Sequence, residues 1–135
     1  MTKILGAMFC DDVRIENNGK VILIGLYTGH MTVPQFPYSG RIFSLLILDE
    51  PLPLVCTLRV RVKGGSGAVF AEGEFEIETE AVTPVAQTLL YPMPPAIVSL
   101  SSPDTIELWV KIGDAEEVRA GALPVVKVEA SHSAA

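Results

Sequence analysis

The sequence predicts an all-β protein, a two-layer antiparallel β-sandwich of immunoglobulin-like or Greek-key type with eight or nine strands. Short runs of Val, Ile and Leu alternate with turns along a chain of 135 residues that contains ten prolines and eleven glycines. No stretch shows the period of an amphipathic helix. Half of the residues are apolar (49%) and 19% are charged, which is enough apolar material for one core.

The first predicted element is a hairpin formed by residues 4–15 and 20–31. Asn18-Gly19 lies between the two runs and is a strong short-range hairpin signal. A three-residue loop with Gly19 in the left-handed conformation would pair Glu16 with Lys20. It would place these apolar residues on one face: Phe9, Val13, Ile15, Val21, Leu23 and Tyr27. A two-residue turn would exchange the faces of the second strand, and the sequence leaves both alternatives open.

The next two strands are apolar on both faces. The strand at residues 21–27 carries no polar side chain before Tyr27. It is therefore either central and covered on both sides or part of a subunit contact. A proline-rich connection at residues 33–40 leads to residues 41–48, a nearly continuous apolar strand. Asp49 and the prolines that follow it end this strand.

The middle of the chain alternates strictly and predicts a second hairpin. Residues 57–63 and 68–78 each place apolar side chains on one face and charges on the other, and the turn is Gly64-Gly-Ser-Gly67. Folding about Gly65-Ser66 sets Val62 opposite Val69, with Arg59 opposite Glu72. The glutamates from position 72 to position 80 then form a solvated face that is partly paired with arginines.

The remaining elements complete one domain over residues 1–129, followed by a frayed tail at 130–135. Residues 83–95 lack a period and contain Pro92-Met-Pro-Pro95, so we interpret them as a connection that crosses between the sheets. Short strands are predicted at four places: residues 96–100, 105–112, 116–122 and 125–128.

The charge of the chain bears on its partners. The net charge is −6, so neither nucleic acid nor an anionic membrane surface is an expected partner. No apolar run approaches the roughly 20 residues of a bilayer span. Cys10 and Cys56 lie in apolar stretches and are interpreted as reduced core thiols, which favours a cytoplasmic location.

The first 40 residues resemble a family of small bacterial proteins known only as a domain of unknown function. The resemblance rests on Phe9-Cys-Asp-Asp-Val-Arg14, Asn18-Gly-Lys20, Ile24-Gly-Leu-Tyr27 and Val33-Pro-Gln-Phe-Pro37. It returns loosely around Trp109 and at Leu123-Pro-Val125. It implies a compact bacterial β-domain, with no activity or cofactor to carry over.

The acidic residues offer the main candidate for chemistry. In a strand, Asp11 and Asp12 point to opposite faces, so they do not form an acid/base pair. They are candidates for a calcium-like cation site completed by loop carboxylates. The candidate ligands are Asp11, Asp12, Asp104 and Asp114, with Asp49 and Glu50. No zinc, nucleophile or phosphate-loop motif is present, so no cofactor is predicted.

Aromatic residues predict a contact surface. Trp109 and Phe70 fall on otherwise polar strand faces, where either the loops at 33–40 and 89–95 or a protein partner would cover them. Tyr27 is the third candidate interface residue. The sequence therefore predicts a non-enzymatic interaction module, most simply a homo-oligomer. The alternative is a domain that binds a small ligand or a cation.

Overall fold

Two packed β-sheets make up the protein in a computed structural model that describes residues 2–49, 55–78 and 88–128. Ten strands lie within these ranges: β1 (Ile4–Ile15), β2 (Val21–Leu26), β3 (Met31–Val33), β4 (Tyr38–Leu48), β5 (Val55–Gly64), β6 (Val69–Glu78), β7 (Leu89–Pro92), β8 (Ala96–Leu100), β9 (Asp104–Ile112) and β10 (Val118–Lys127). The predicted β-sandwich is confirmed. The short strands β3 and β7 were not expected, and β10 joins two segments that were predicted separately.

The first sheet has the order β2-β1-β4-β7, with β8 also paired to β4. The β1–β2 hairpin closes through two backbone hydrogen bonds, from Glu16 N–H to Lys20 O (2.8 Å) and from Gly19 N–H to Glu16 O (2.9 Å). Gly19 is left-handed, with φ of 85°. The loop is therefore the three-residue alternative, and Ile15 pairs with Val21 as that alternative requires.

The second sheet has the order β3-β10-β9-β5-β6. Its pairings are antiparallel except that of β10 with β3, which is parallel. Between β6 and β7 the chain passes from the second sheet to the first, as predicted for the proline-rich connection. Residues 79–87, which include the start of that predicted connection, and the predicted tail at 130–135 lie outside the described residues.

The register of the β5–β6 hairpin differs from the prediction. Val62 pairs with Ala71 rather than with Val69. The turn is a three-residue loop closed by Gly64 and Ala68, and a bulge at Phe70 adds one further residue to β6. Each irregularity shifts the register by one residue. Together they shift the register by two residues. Because side chains alternate between faces with a period of two, the predicted apolar and charged faces are preserved beyond the bulge.

The core lies between the sheets. Alternate residues of β4 and β9 supply its centre, where Leu46, Leu48, Ile106 and Leu108 are fully buried. The opposite side of each sheet points away from this core. Among the described residues, none forms a helix with the length and apolarity needed to cross a membrane.

Candidate interaction surface

The first sheet has a second apolar side, which faces away from the core. Strand pairing defines it, because side chains of directly paired residues lie on the same side of a sheet. Phe9 and Ser44 face the core, so the next pair, Cys10 and Phe43, faces outward. We call this side the outer face. Its apolar members are Met8, Cys10, Ile22, Ile24, Leu26, Phe43, Leu45, Ile47, Leu90, Pro92 and Ile97.

Much of the outer face is in contact with solvent. Its most exposed members, with the exposed fraction of each residue, are Ile22 (41%), Ile24 (44%), Leu26 (43%), Leu90 (44%) and Ile97 (69%). Together they leave on the order of 450 Å² of apolar surface in water, whereas the largest patch on a typical monomer is about 300–600 Å² and often functional. The outer face therefore has the size of a contact surface even before its half-buried members are counted.

The centre of the outer face is filled. Cys10 and Leu45 are both 0% exposed, although neither belongs to the core between the sheets. Burial is the main cause that raises the pKa of the Cys10 thiol, and the nearby Asp11 and Asp12 raise it further. Cys10 is therefore a neutral packing group at the centre of an apolar surface.

Charges on the outer face are few and lie toward one end. Arg14 Nε is 3.3 Å from Asp12 Oδ2, and the Arg41 guanidinium carbon lies 5.2 Å from the centroid of the Phe43 ring. Asp12 and Arg14 also neutralise each other's charge. The rest of the face, from Leu26 to Leu90, consists of apolar side chains.

The corresponding side of the second sheet is charged. Arg59 Nη2 donates to Glu72 Oε1 at 3.0 Å, and Arg61 Nε donates to Glu117 Oε2 at 2.9 Å. Hydrogen bonding from Arg61 is the first cause of the lowered pKa of Glu117, and the positive charge of Arg61 adds to it. The two sheets thus present different outer surfaces, one apolar and one ionic.

Trp109 lies on the ionic side, as predicted, and is half-buried. Lys63 Nζ lies 4.7 Å from the centroid of its ring, and its indole N–H donates to Glu107 Oε1 at 3.3 Å. Aliphatic and charged groups of its own sheet therefore cover part of this ring, in addition to any cover by loops.

Phe70 and Tyr27, the other two predicted interface residues, pack against the core instead of lying on an exposed surface. Phe70 was expected on the polar face, but the bulge in β6 turns its ring toward the core, close to Gly64. Tyr27 also packs against the core, and its hydroxyl donates to Asp11. Burial and this carboxylate raise the pKa of Tyr27. Sequence reasoning recognised the doubly apolar strands but did not assign their outward-facing residues as the surface.

The predicted cation ligands lie apart in the fold. Asp11 binds Tyr27, Asp12 binds Arg14, and Asp114 follows the end of β9. Glu50 lies outside the described residues, and Asp49 accepts from the backbone N–H of Lys3 at 2.7 Å. In the described ranges, no group of three or more His, Cys, Asp or Glu residues is placed to hold a metal ion.

Asp104 has a structural role at the end of the β5–β6 hairpin. Ser66 Oγ donates to Asp104 Oδ2 at 2.7 Å, and the backbone N–H of Thr105 donates to Oδ1 at 2.7 Å. Burial raises the pKa of Asp104, but these hydrogen bonds outweigh it, and the resulting pKa lies below the ordinary value. Asp104 thereby connects the turn of one hairpin to the first residues of β9.

A cleft of about 890 Å³ opens at one end of the sandwich. The residues that line it include Lys3, Ile4, Cys56, Ile112 and Ala120. Its volume falls in the range of small-molecule sites, which is about 300–1,000 Å³.

No protein-family model matches this chain, and no curated protein matches its sequence. The resemblance of its first 40 residues to a bacterial family therefore stays a prediction.

Proposed function

We propose that the protein is a non-enzymatic interaction module that self-associates through the outer face of its first sheet. The observation that carries the proposal is the exposure of Ile22, Ile24, Leu26, Leu90 and Ile97 on one side of one sheet. The sequence left two interpretations of the doubly apolar strand at residues 21–27, a central strand or a subunit contact. In the described fold β2 pairs with β1 at the edge of the first sheet, which favours the contact.

The area of the outer face supports a stable contact. Half-buried Met8, Phe43, Ile47 and Pro92 extend the exposed patch across β1, β4 and β7. This extends the surface toward the roughly 800 Å² that each partner contributes to a standard protein interface. Burial of such a surface is favourable because apolar area leaves water.

The distribution of charge favours a second copy of the chain as the partner. Two chains of net charge −6 repel each other, but the carboxylates of Glu72, Glu74 and Glu76 lie on β6 in the second sheet. On the outer face, Asp12 is paired with Arg14. Two outer faces can therefore meet about a two-fold axis without bringing the carboxylates of β6 together.

The proposed location is the cytoplasm. Cys10 and Cys56 are free thiols, and both are buried. Reduced cysteines are usual in a reducing compartment, which supports this assignment.

Light scattering combined with size exclusion, repeated over a concentration series, tests the proposal. The wild-type chain should exceed its monomer mass of 14.5 kDa. A double variant, Leu90→Glu with Ile97→Glu, should lower the particle mass because it places charge on the outer face far from β2. Trp109→Ser is the matched control on the other sheet and should leave the mass unchanged.

Two results would contradict the proposal. One is a wild-type mass equal to that of the monomer at every concentration. The other is an unchanged mass in the double variant, and loss of association in Trp109→Ser instead would move the contact to the ionic side. A calcium titration followed by thermal melting tests the alternative function, since a bound cation raises the melting temperature by mass action.

A further inference from the structure

We propose that β2 pairs through the edge that no described strand covers with β2 of a second copy, antiparallel and across a two-fold axis at Ile22. This inference rests on the proposed self-association and adds a second contact to it. The outer face buries side chains, whereas the edge of β2 offers backbone hydrogen bonds. The two contacts use different atoms and can be separated by experiment.

The edge of β2 lacks the features that protect the edges of β3, β6 and β7 from pairing. Natural edges are protected by short length, charge or proline. Among the described strands, β6 carries glutamates along its edge, β3 has three residues, and β7 has four residues and ends at Pro92. By contrast, β2 has six residues, Val-Ile-Leu-Ile-Gly-Leu, with no charge and no proline.

The β1–β2 hairpin determines which residues of β2 direct their backbone N–H and C=O groups toward β1 and which direct them away from it. Glu16 and Lys20 form a hydrogen-bonded pair at the loop. Hydrogen-bonded and non-hydrogen-bonded pairs alternate along an antiparallel ladder, so Ile22 and Ile24 direct their N–H and C=O groups toward β1. Val21 and Leu23 therefore direct theirs away from β1, toward the free edge.

One register uses these groups and avoids the irregular part of the strand. Gly25 has φ of 68°, which departs from strand geometry and excludes it from a regular ladder. Pairing Val21 of each chain with Leu23 of the other makes four backbone hydrogen bonds. In this register Ile22 lies directly opposite Ile22 of the second copy as a non-hydrogen-bonded pair.

The edge contact places both outer faces on the same side of one continuous ten-stranded sheet. Its two-fold axis is perpendicular to the sheet, whereas the axis of a face-to-face contact lies parallel to it. Two perpendicular two-fold axes that intersect generate a closed particle of four chains, the D2 arrangement common among homo-oligomers. We therefore expect a wild-type mass four times that of the chain.

Disulfide trapping tests the register. Ile22→Cys should form a cross-linked dimer under mild oxidation, because the side chains of a non-hydrogen-bonded pair lie within disulfide reach. Ile24→Cys is a matched control on the same strand and face, with a similar exposed fraction of 44% against 41%. In the proposed register the two copies of residue 24 lie about four residues apart along the strand, roughly 13 Å, and should not cross-link. Cross-linking of both variants or of neither overturns the inference.

A proline variant tests the edge hydrogen bonds directly. In Leu23→Pro the lost N–H points to the free edge, so the β1–β2 ladder stays intact and the particle mass should fall by half. Leu23→Ala keeps the N–H and should keep the mass. If Leu23→Pro does not melt cooperatively, the cysteine pair decides the question. An unchanged mass in a folded Leu23→Pro overturns the edge contact alone, whereas an unchanged mass in the Leu90 and Ile97 double variant overturns the proposed function alone.

Discussion

Gly25 provides a sharp test of how β1 and β2 fit together. Its φ of 68° lies in the left-handed region, where an alanine costs about 1–2 kcal/mol. A Cβ at this position would also contact Asp11 Oδ2 and would lie 2.8 Å from Asp11 Cγ. In Gly25→Ala the carboxylate must therefore move, and the hydrogen bond that Tyr27 donates to it is weakened or broken.

The magnitude follows from these two effects. Hydrogen bonds to charged groups contribute about 1.5–3 kcal/mol in general, and this one contributes toward the lower end because Asp11 is exposed. We expect Gly25→Ala to lower the free energy of unfolding by about 2–4 kcal/mol. Gly19→Ala is the matched control, since its φ is 85° but nothing lies within 4 Å of the added Cβ. It should lose only about 1–2 kcal/mol.

Urea denaturation measures both variants, and an unchanged slope shows that only stability has changed. The contact with Asp11 is isolated by a double-mutant cycle of Asp11→Ala and Gly25→Ala, with an expected coupling of about 1–2 kcal/mol. Equal losses for Gly25→Ala and Gly19→Ala, or a coupling near zero, would refute the reasoning.

Three further predictions concern the core, an ion pair and a thiol. Leu46→Ala removes a fully buried core side chain and should cost about 2–5 kcal/mol in urea denaturation, so a loss below about 1 kcal/mol would contradict the packing. Hydrogen bonds from Arg61 lower the pKa of Glu117, so the pair stabilises the fold at neutral pH and this stability is lost as the pH falls below about 4. Glu117→Gln should accordingly be less stable than wild type at pH 7 and should lose less stability on acidification; identical pH profiles would count against the pair. In a Cys56→Ala background, the buried Cys10 should react with a thiol reagent about a thousandfold more slowly than in urea, and rapid labelling of the native chain would show that the outer face is open at its centre.

Local pattern predicted most of the strands. Strict alternation in residues 57–63 and the hairpin signal at Asn18-Gly19 depend on neighbours in sequence, and the structure follows both. The bulge at Phe70 was not predictable in this way. The three-residue loop shifts the register by one residue, and the bulge adds a second shift that returns the apolar side chains of β6 to the core. This second shift is needed only because the apolar faces of both strands must pack against one core.

For the outer face, too, the sequence predicted the apolar strands, but the order of the strands decided which residues are exposed. The strands at residues 21–27 and 41–48 are apolar on both sides in the sequence, but the sequence does not say which of them is central. In the fold, β4 is covered by neighbours on both edges, while β2 has β1 on one side and forms the edge of the first sheet. The exposed surface therefore depends on the order of strands, which is a property of distant pairings.

By itself, the sequence determined the fold class, the location of both hairpins, the ionic side of the β5–β6 hairpin and the surplus of apolar residues in two strands. These features follow from side-chain alternation and turn chemistry over a few residues. Only the tertiary structure decided that Phe70 and Tyr27 pack against the core, that the predicted cation ligands lie apart, and that Ile22, Ile24 and Leu26 share one exposed face with Leu90 and Ile97. The physical reason is that strand order and register depend on contacts between residues far apart in the chain, and burying one common core decides among them.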